Sequence, residues 1–161
     1  MSEIDRMLAA NKEWLAQFPG DLPVAPARGV AVVACMDSRM PLFGLLGMAV
    51  GDAHVIRNGG GVVTEDTLRS LAVSQHLLGT RSVILVHHTD CGQTKSTDED
   101  LLALIERTTG HRPSWSPRTF VDIDADVRES VRIIRETPYL LSTEVRGTVY
   151  DVASGVLREV D

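Results

Sequence analysis

Two short stretches, residues 30–34 (Val-Ala-Val-Val-Ala) and 82–87 (Ser-Val-Ile-Leu-Val-His), constrain the fold more than anything else in the chain. A strand with one wet face alternates apolar and polar residues, whereas a run without alternation must be covered on both faces. Helices crossing between parallel strands give that cover. The two runs therefore predict an α/β fold with a mainly parallel central sheet flanked by helices. Residues 53–57 read as a further strand, and residues 147–160 as strand, turn, strand around Ala153-Ser154-Gly155. Helical spacing is read over residues 2–18, with a capping box from Ser2 and Asp5, and over 64–78, capped by Thr64 and ended by Gly79. Two more helices follow, over 98–109 and through Ile123, Val127, Val131 and Ile134; residues 40–48 form a short apolar helix or turn.

The chain length of 161 residues suits one domain, residues 1–161, with residues 1–20 as an N-terminal helical arm. The apolar positions of that arm (Ile4, Leu8, Leu15, Phe18) are expected to pack either on the chain's own core or on a partner subunit. With 43% hydrophobic and 24% charged residues the chain is expected to fold rather than stay disordered. A net charge of −6 argues against a general nucleic-acid binder, since phosphates need a basic surface. No apolar run is long enough to span a bilayer, and the first residues read as a helix start, so no membrane association and a cytoplasmic location are expected.

Both strongly apolar strands end abruptly in polar chemistry. The first runs into Cys35, Asp37 and Arg39, the second into His88 and Cys91. In parallel sheets, sites form at the carboxyl ends of strands. A lone Cys at such a place is ordinarily an inert core thiol. His88 and Cys91, three residues apart, can reach one ion from a turn, and with Cys35 they make a Cys₂His set. Catalytic zinc uses this combination with a fourth position open, and thiolates favour zinc over magnesium or calcium. A structural zinc site would need a fourth protein ligand, for which Asp37 is the nearby candidate. Two thiolates cancel the charge of Zn²⁺, so its water should acidify less than on a His₃ zinc. Asp37 can accept a hydrogen bond from zinc-bound hydroxide, and Arg39 can keep Asp37 ionised and oriented. The plain alternative for this pair is a surface ion pair of little consequence. His87 should face the opposite side of its strand, and no proton shuttle is assigned among His54, His76 and His111.

Cys35-Met36-Asp37-Ser38-Arg39 together with His88-Thr89-Asp90-Cys91-Gly92 resembles the paired signature of the beta-class carbonic anhydrases, and the resemblance covers nearly the whole chain. It implies zinc held by Cys35, His88 and Cys91, a fourth ligand that is water or, in a closed state, Asp37, and an Asp37–Arg39 dyad that orients the water. The implied reaction is reversible hydration of CO₂ to bicarbonate and a proton, and the implied assembly is a homodimer or a dimer-based homo-oligomer. Two alternatives share the same zinc set: a hydrolase of carbon disulfide or carbonyl sulfide, and a non-catalytic zinc- or bicarbonate-binding module with Asp37 on the metal. Cysteine-nucleophile chemistry ranks last. The chain departs from the family in reading Asn58-Gly59-Gly60-Gly61 where Asn-Ala-Gly is common. The extra glycine lets the backbone approach the site closely. The glutamine and aromatic residues that line the pocket in longer members have no obvious counterparts here.

Overall fold

The computed structural model describes residues 1–161. Five strands form one sheet: β1 (Val30–Cys35), β2 (Ala53–Asn58), β3 (Ser82–His88), β4 (Glu144–Tyr150) and β5 (Leu157–Val160), in spatial order β2-β1-β3-β4-β5. β1 pairs in parallel with β2 and β3, and β3 in parallel with β4; only β5 is antiparallel. The chain leaves β1 to build β2 on one side, then crosses back to place β3 on the other. That reversal makes the carboxyl ends of β1 and β3 the topological switch point, where open α/β sheets place their sites.

The doubly covered strands are as expected. Residues 31–34 of β1 are fully buried. On one face Ala31 and Val33 pack with Leu71 of α3 (Glu65–His76) and with Val131 and Ile134 of α5 (Ile123–Glu136). On the other, Val32 and Ala34 pack with Met40 and with Leu42 of the short α2 (Leu42–Leu45). α4 (Asp98–Thr109) starts with a capping box, Thr97 with Asp100, and stops at Gly110 in the left-handed conformation. No helix is long and apolar enough to cross a membrane.

Two boundaries differ from the sequence reading. The helix expected over 2–18 is α1 (Glu3–Trp14) followed by a single 3₁₀ turn, Leu15–Gln17, with the Ser2–Asp5 capping box in place. No residue of α1 is buried, and Ile4, Leu8, Leu15 and Phe18 remain 58–70% exposed, so its apolar face does not pack on the chain's own core. β4 begins at Glu144, three residues before the expected start, because Glu144 and Arg146 point outward and interrupt the apolar pattern. Arg146 pairs there with Glu159 of β5 through two hydrogen bonds of 2.7 and 2.6 Å.

α5 lies directly on β4 at Gly147. A Cβ at that position would fall 2.3 Å from Val127 Cγ1 and 3.0 Å from Val131 Cγ2. Glycine in a strand interior marks such a close approach. Gly147→Ala is therefore expected to destabilise the fold by about 1–3 kcal/mol, as overpacking of a filled core does. A fall in the urea midpoint that Val127→Ala partly restores checks this; an unchanged midpoint contradicts the packing described.

Candidate metal centre

β1 delivers Cys35 at its last residue, β3 delivers His88 at its last, and the turn Thr89-Asp90 brings Cys91 back beside them. The turn is fastened to β4. The Thr89 amide donates to the Tyr150 carbonyl (2.9 Å), and the Thr89 hydroxyl donates to Asp151 Oδ1 (3.2 Å) and accepts from the Val152 amide (3.1 Å). The two Sγ atoms lie 4.0 Å apart, and the ligand atoms of Cys35, His88 and Cys91 all fall within 4.8 Å of one another. All three residues are buried.

His88 Nδ1–H donates to the Thr89 carbonyl at 2.8 Å, which leaves Nε2 as the acceptor nitrogen facing the two sulfurs. That Nε2 is buried and has no partner. An orphaned buried acceptor is costly unless something fills its place. Zn–S bonds of about 2.3 Å in a tetrahedron set two sulfurs roughly 3.8 Å apart, close to the spacing seen. The residues present fit a soft divalent metal ion. The protonation pattern agrees. The Cys91 thiol donates toward the Cys35 sulfur, which pushes the Cys35 pKa down and the Cys91 pKa up. Burial disfavours a charged His88, but the neighbouring Cys35 thiolate outweighs it and raises the imidazole pKa. A divalent cation relieves this frustration by taking both thiolates at once.

Asp37 and Arg39 are not a loose surface pair. Asp37 Oδ1 accepts from the Arg39 amide (2.8 Å) and Nε (3.0 Å), and Oδ2 accepts from Nη2 (2.8 Å). These bonds hold the Asp37 carboxyl well below the usual carboxylate range. Oδ2 lies 3.7 Å from His88 Nε2, so the carboxylate borders the triad while it remains bonded to Arg39. In the sequence Arg57 closes the strand read over residues 53–57 and opens the Arg57-Asn58-Gly59-Gly60 stretch. Its Nε donates to the Cys35 carbonyl (2.9 Å) and its Nη2 to the Asp37 carbonyl (2.7 Å), which fixes the backbone that presents both residues. The signal for it was positional: β2 pairs in register with β1, so Arg57 sits opposite Ala34.

A cavity of about 670 Å³ opens from Cys35, Asp37 and Cys91, with apolar walls that include Ile56, Val62, Leu101 and Trp115. Gln93 spans it, donating from Nε2 to the carbonyls of Gly59 (3.3 Å) and Pro117 (3.1 Å). Trp115 and Gln93 are thus an aromatic and a glutamine of this cavity that sequence spacing did not identify. The loop carrying Ser116 and Pro117 is tied down by Asp98, whose carboxylate accepts from the Ser116 hydroxyl and from the Thr119 hydroxyl and amide. Those hydrogen bonds lower its pKa to about 2. His87 does face away, its Nε2–H donating to Asp126 Oδ2 at 2.8 Å. His54 and His76 are bonded to Ser74 and to the Tyr139 carbonyl, and neither lines the cavity.

A Cys₂His triad at the switch point of a parallel sheet, with an arginine-held aspartate on its border, is the site expected of the beta-class carbonic anhydrase family. The family model described as carbonic anhydrase matches residues 30–157, and the chain belongs to that family. It is 50% identical over 161 residues to beta-carbonic anhydrase 1 of Mycobacterium tuberculosis, covering 99% of each chain. Among solved structures it matches a carbonic anhydrase from Glaciozyma antarctica with a TM-score of 0.94 and 40% identity, covering 100% of both chains. A carbon disulfide hydrolase from Acidithiobacillus thiooxidans is 28% identical over 178 residues, covering 97% of this chain and 88% of that one.

The triple glycine is explained at Gly61. A Cβ there would lie 2.8 Å from the Cys35 nitrogen and 3.0 Å from the Ala34 carbonyl carbon, and φ is +74°. Both the clash, against backbone, and the left-handed conformation exclude a side chain. Gly61→Ala is expected to displace Cys35 and reduce bound zinc well below one per chain after dialysis. Elemental analysis reads this, and full zinc retention would contradict it.

Proposed function

We propose that this chain catalyses the zinc-dependent, reversible conversion of CO₂ and water to bicarbonate and a proton. The observation that carries the reading is the buried, unpartnered His88 Nε2 between two thiols, bordered by an aspartate that arginine holds ionised. Cys35, His88 and Cys91 hold the zinc, and Asp37 joins them only in a closed state in which it leaves Arg39. Zinc bound there supplies Lewis acidity that lowers the pKa of water, less strongly than a His₃ site because two thiolates offset its charge. Asp37 Oδ2 accepts a hydrogen bond from the hydroxyl of the attacking nucleophile and turns its lone pair toward the substrate carbon. Kept ionised by Arg39, it is an orienting group and not the base that takes the proton. Ile56, Val62 and Leu101 offer CO₂ an apolar wall suited to a molecule without a dipole.

Three bonds from Arg39 favour an open site over one closed by Asp37, and so an enzyme over a zinc- or bicarbonate-binding module. Thiolate ligands require a reducing compartment, and we place the protein in the cytoplasm. In stopped-flow assays the zinc-loaded protein should hydrate CO₂ with kcat/KM rising from pH 6 toward pH 9, because the nucleophile is the deprotonated form of water. Asp37→Asn should lower kcat/KM by about 10–100-fold with zinc retained. No hydration up to pH 9, or turnover of carbon disulfide in its place, overturns the reading.

Residues 1–161 act as one domain whose arm serves assembly. A 12-residue helix is marginal alone in water, and α1 keeps Ile4, Met7, Leu8 and Trp14 in solvent. We assign that face to a second copy of the chain in a homodimer. Light scattering should give twice the chain mass, and Ile4→Lys with Leu8→Lys should reduce it to the monomer; a monomeric wild type removes the assignment.

A further inference from the structure

Asp90 is the one residue of the His88–Cys91 turn that holds a left-handed backbone, with φ +55°. A non-glycine residue there carries strain on the order of 1 kcal/mol, and such strain persists only where the surroundings impose it. Arg39 bonds Asp90 twice. Arg39 Nη1 donates to Asp90 Oδ2 (3.0 Å) and Nη2 donates to the Asp90 carbonyl (3.1 Å). Side chain and backbone of the strained residue grip the same guanidinium.

A guanidinium has five N–H groups in a fixed plane. Arg39 spends Nε–H and one Nη2–H on Asp37, the other Nη2–H on the Asp90 carbonyl, and one Nη1–H on the Asp90 carboxylate. Two edges of the plane are thus pinned by two loops, one from each end of the ligand set. Lys95 Nζ in turn lies 2.8 Å from Asp90 Oδ1. The result is a row of alternating charge, Asp37, Arg39, Asp90, Lys95, running from the triad to the surface; side-chain exposure is 17% at Asp37 and 63% at Lys95. Asp37 lines the cavity, whereas Arg39, Asp90 and Lys95 do not.

We infer that Asp90 is a positioning residue: it locks the Arg39 guanidinium in the orientation that keeps Asp37 bidentate on Arg39 at the border of the triad, and Lys95 steadies Asp90. A guanidinium held only by Asp37 can swing with it, as an i,i+2 pair on a loop does. Held from the far side by Asp90, it keeps Asp37 in place. This inference rests on the hydration reading for its kinetic consequence but not for its geometry.

The test uses Asp90→Gly, which accepts the positive φ and removes the carboxylate; Asp90→Asn, which tolerates the same backbone and keeps an acceptor oxygen; and Lys95→Met. In ¹⁵N-labelled protein, with and without zinc, the Arg39 Nε–H should exchange with solvent about tenfold or more faster in Asp90→Gly, with Asp90→Asn recovering most of the protection. In zinc-loaded protein of unchanged melting temperature, Asp90→Gly should lower kcat/KM at pH 7 about tenfold. The plateau at high pH should be largely kept, so that the pH profile moves up by roughly one unit. Lys95→Met should move it the same way by less. Unchanged exchange and an unchanged profile in Asp90→Gly overturn the inference. So does an equal loss at every pH with zinc released, which would make Asp90 a residue of metal retention. A wild type that shows protected Arg39 exchange but no hydration would refute the functional reading and leave the positioning intact.

Discussion

The parallel pairing of β1 with β3 is the constraint on which the rest of this structure depends. Val30 is in register with Ser82 and Ala34 with Val86, so the strand carrying Cys35 and the strand carrying His88 finish side by side. A slip of one residue would turn every side chain of β1 to the opposite face. The register cannot slip, because both faces of β1 are buried against different layers: α3 and α5 on one side, Met40 and Leu42 on the other. Hydrophobic packing with no chemical role thus sets the spacing of the triad.

At the strand ends the same burial becomes an electrostatic problem. Two thiols and an imidazole in a water-poor space cannot all take the protonation state they would have in water. Hydrogen bonding between the sulfurs favours one thiolate at the expense of the other, and His88 Nε2 is left without a donor. The fold holds this arrangement with backbone bonds from outside the triad: Arg57 to the Cys35 and Asp37 carbonyls, and Thr89 to β4. Pre-organisation of this kind keeps the cost of assembling the site out of metal binding, at some expense in stability of the metal-free protein.

What was legible in the sequence follows from how local each signal is. Unalternating apolar runs announce covered parallel strands, and a thiol, a carboxylate or an imidazole closing such a run is visible without coordinates. Cys35, Asp37, Arg39, His88 and Cys91 were found in that way. Arg57, Gln93 and Trp115 were not. Their roles depend on backbone carbonyls and walls supplied by segments 20 to 35 residues away, and nothing in their own neighbourhood sets them apart. The early start of β4 was hidden for a different reason. Glu144 and Arg146 lie on the same face as Thr148 and Tyr150, but at the exposed start of the strand, where Arg146 bonds Glu159 and does not pack in the core. α1 shows the opposite case: its helical period is plain, yet periodicity says only that a face is apolar and not what covers it.

The glycine stretch after β2 shows why sequence pattern and chemistry converge at this site. Asn58 pairs with Cys35 at the last rung of β1 and β2, so the chain leaving β2 must turn immediately beside the ligand. The turn brings Gly61 so close that a methyl group would touch the Cys35 backbone, while Gly60 takes a positive φ with Gln93 Cγ 2.9 Å from where its Cβ would be. Gln93 then bonds the Gly59 carbonyl on one side and the Pro117 carbonyl on the other. One amide therefore joins the two walls of the cavity, and it reaches both only because no side chain stands on the glycines between. Removing side chains from residues 60 and 61 is what lets a left-handed turn, a metal ligand and a cavity wall occupy the same few ångströms. The cost in chain entropy is largest for glycine, and it is accepted here because no other residue type fits all three demands.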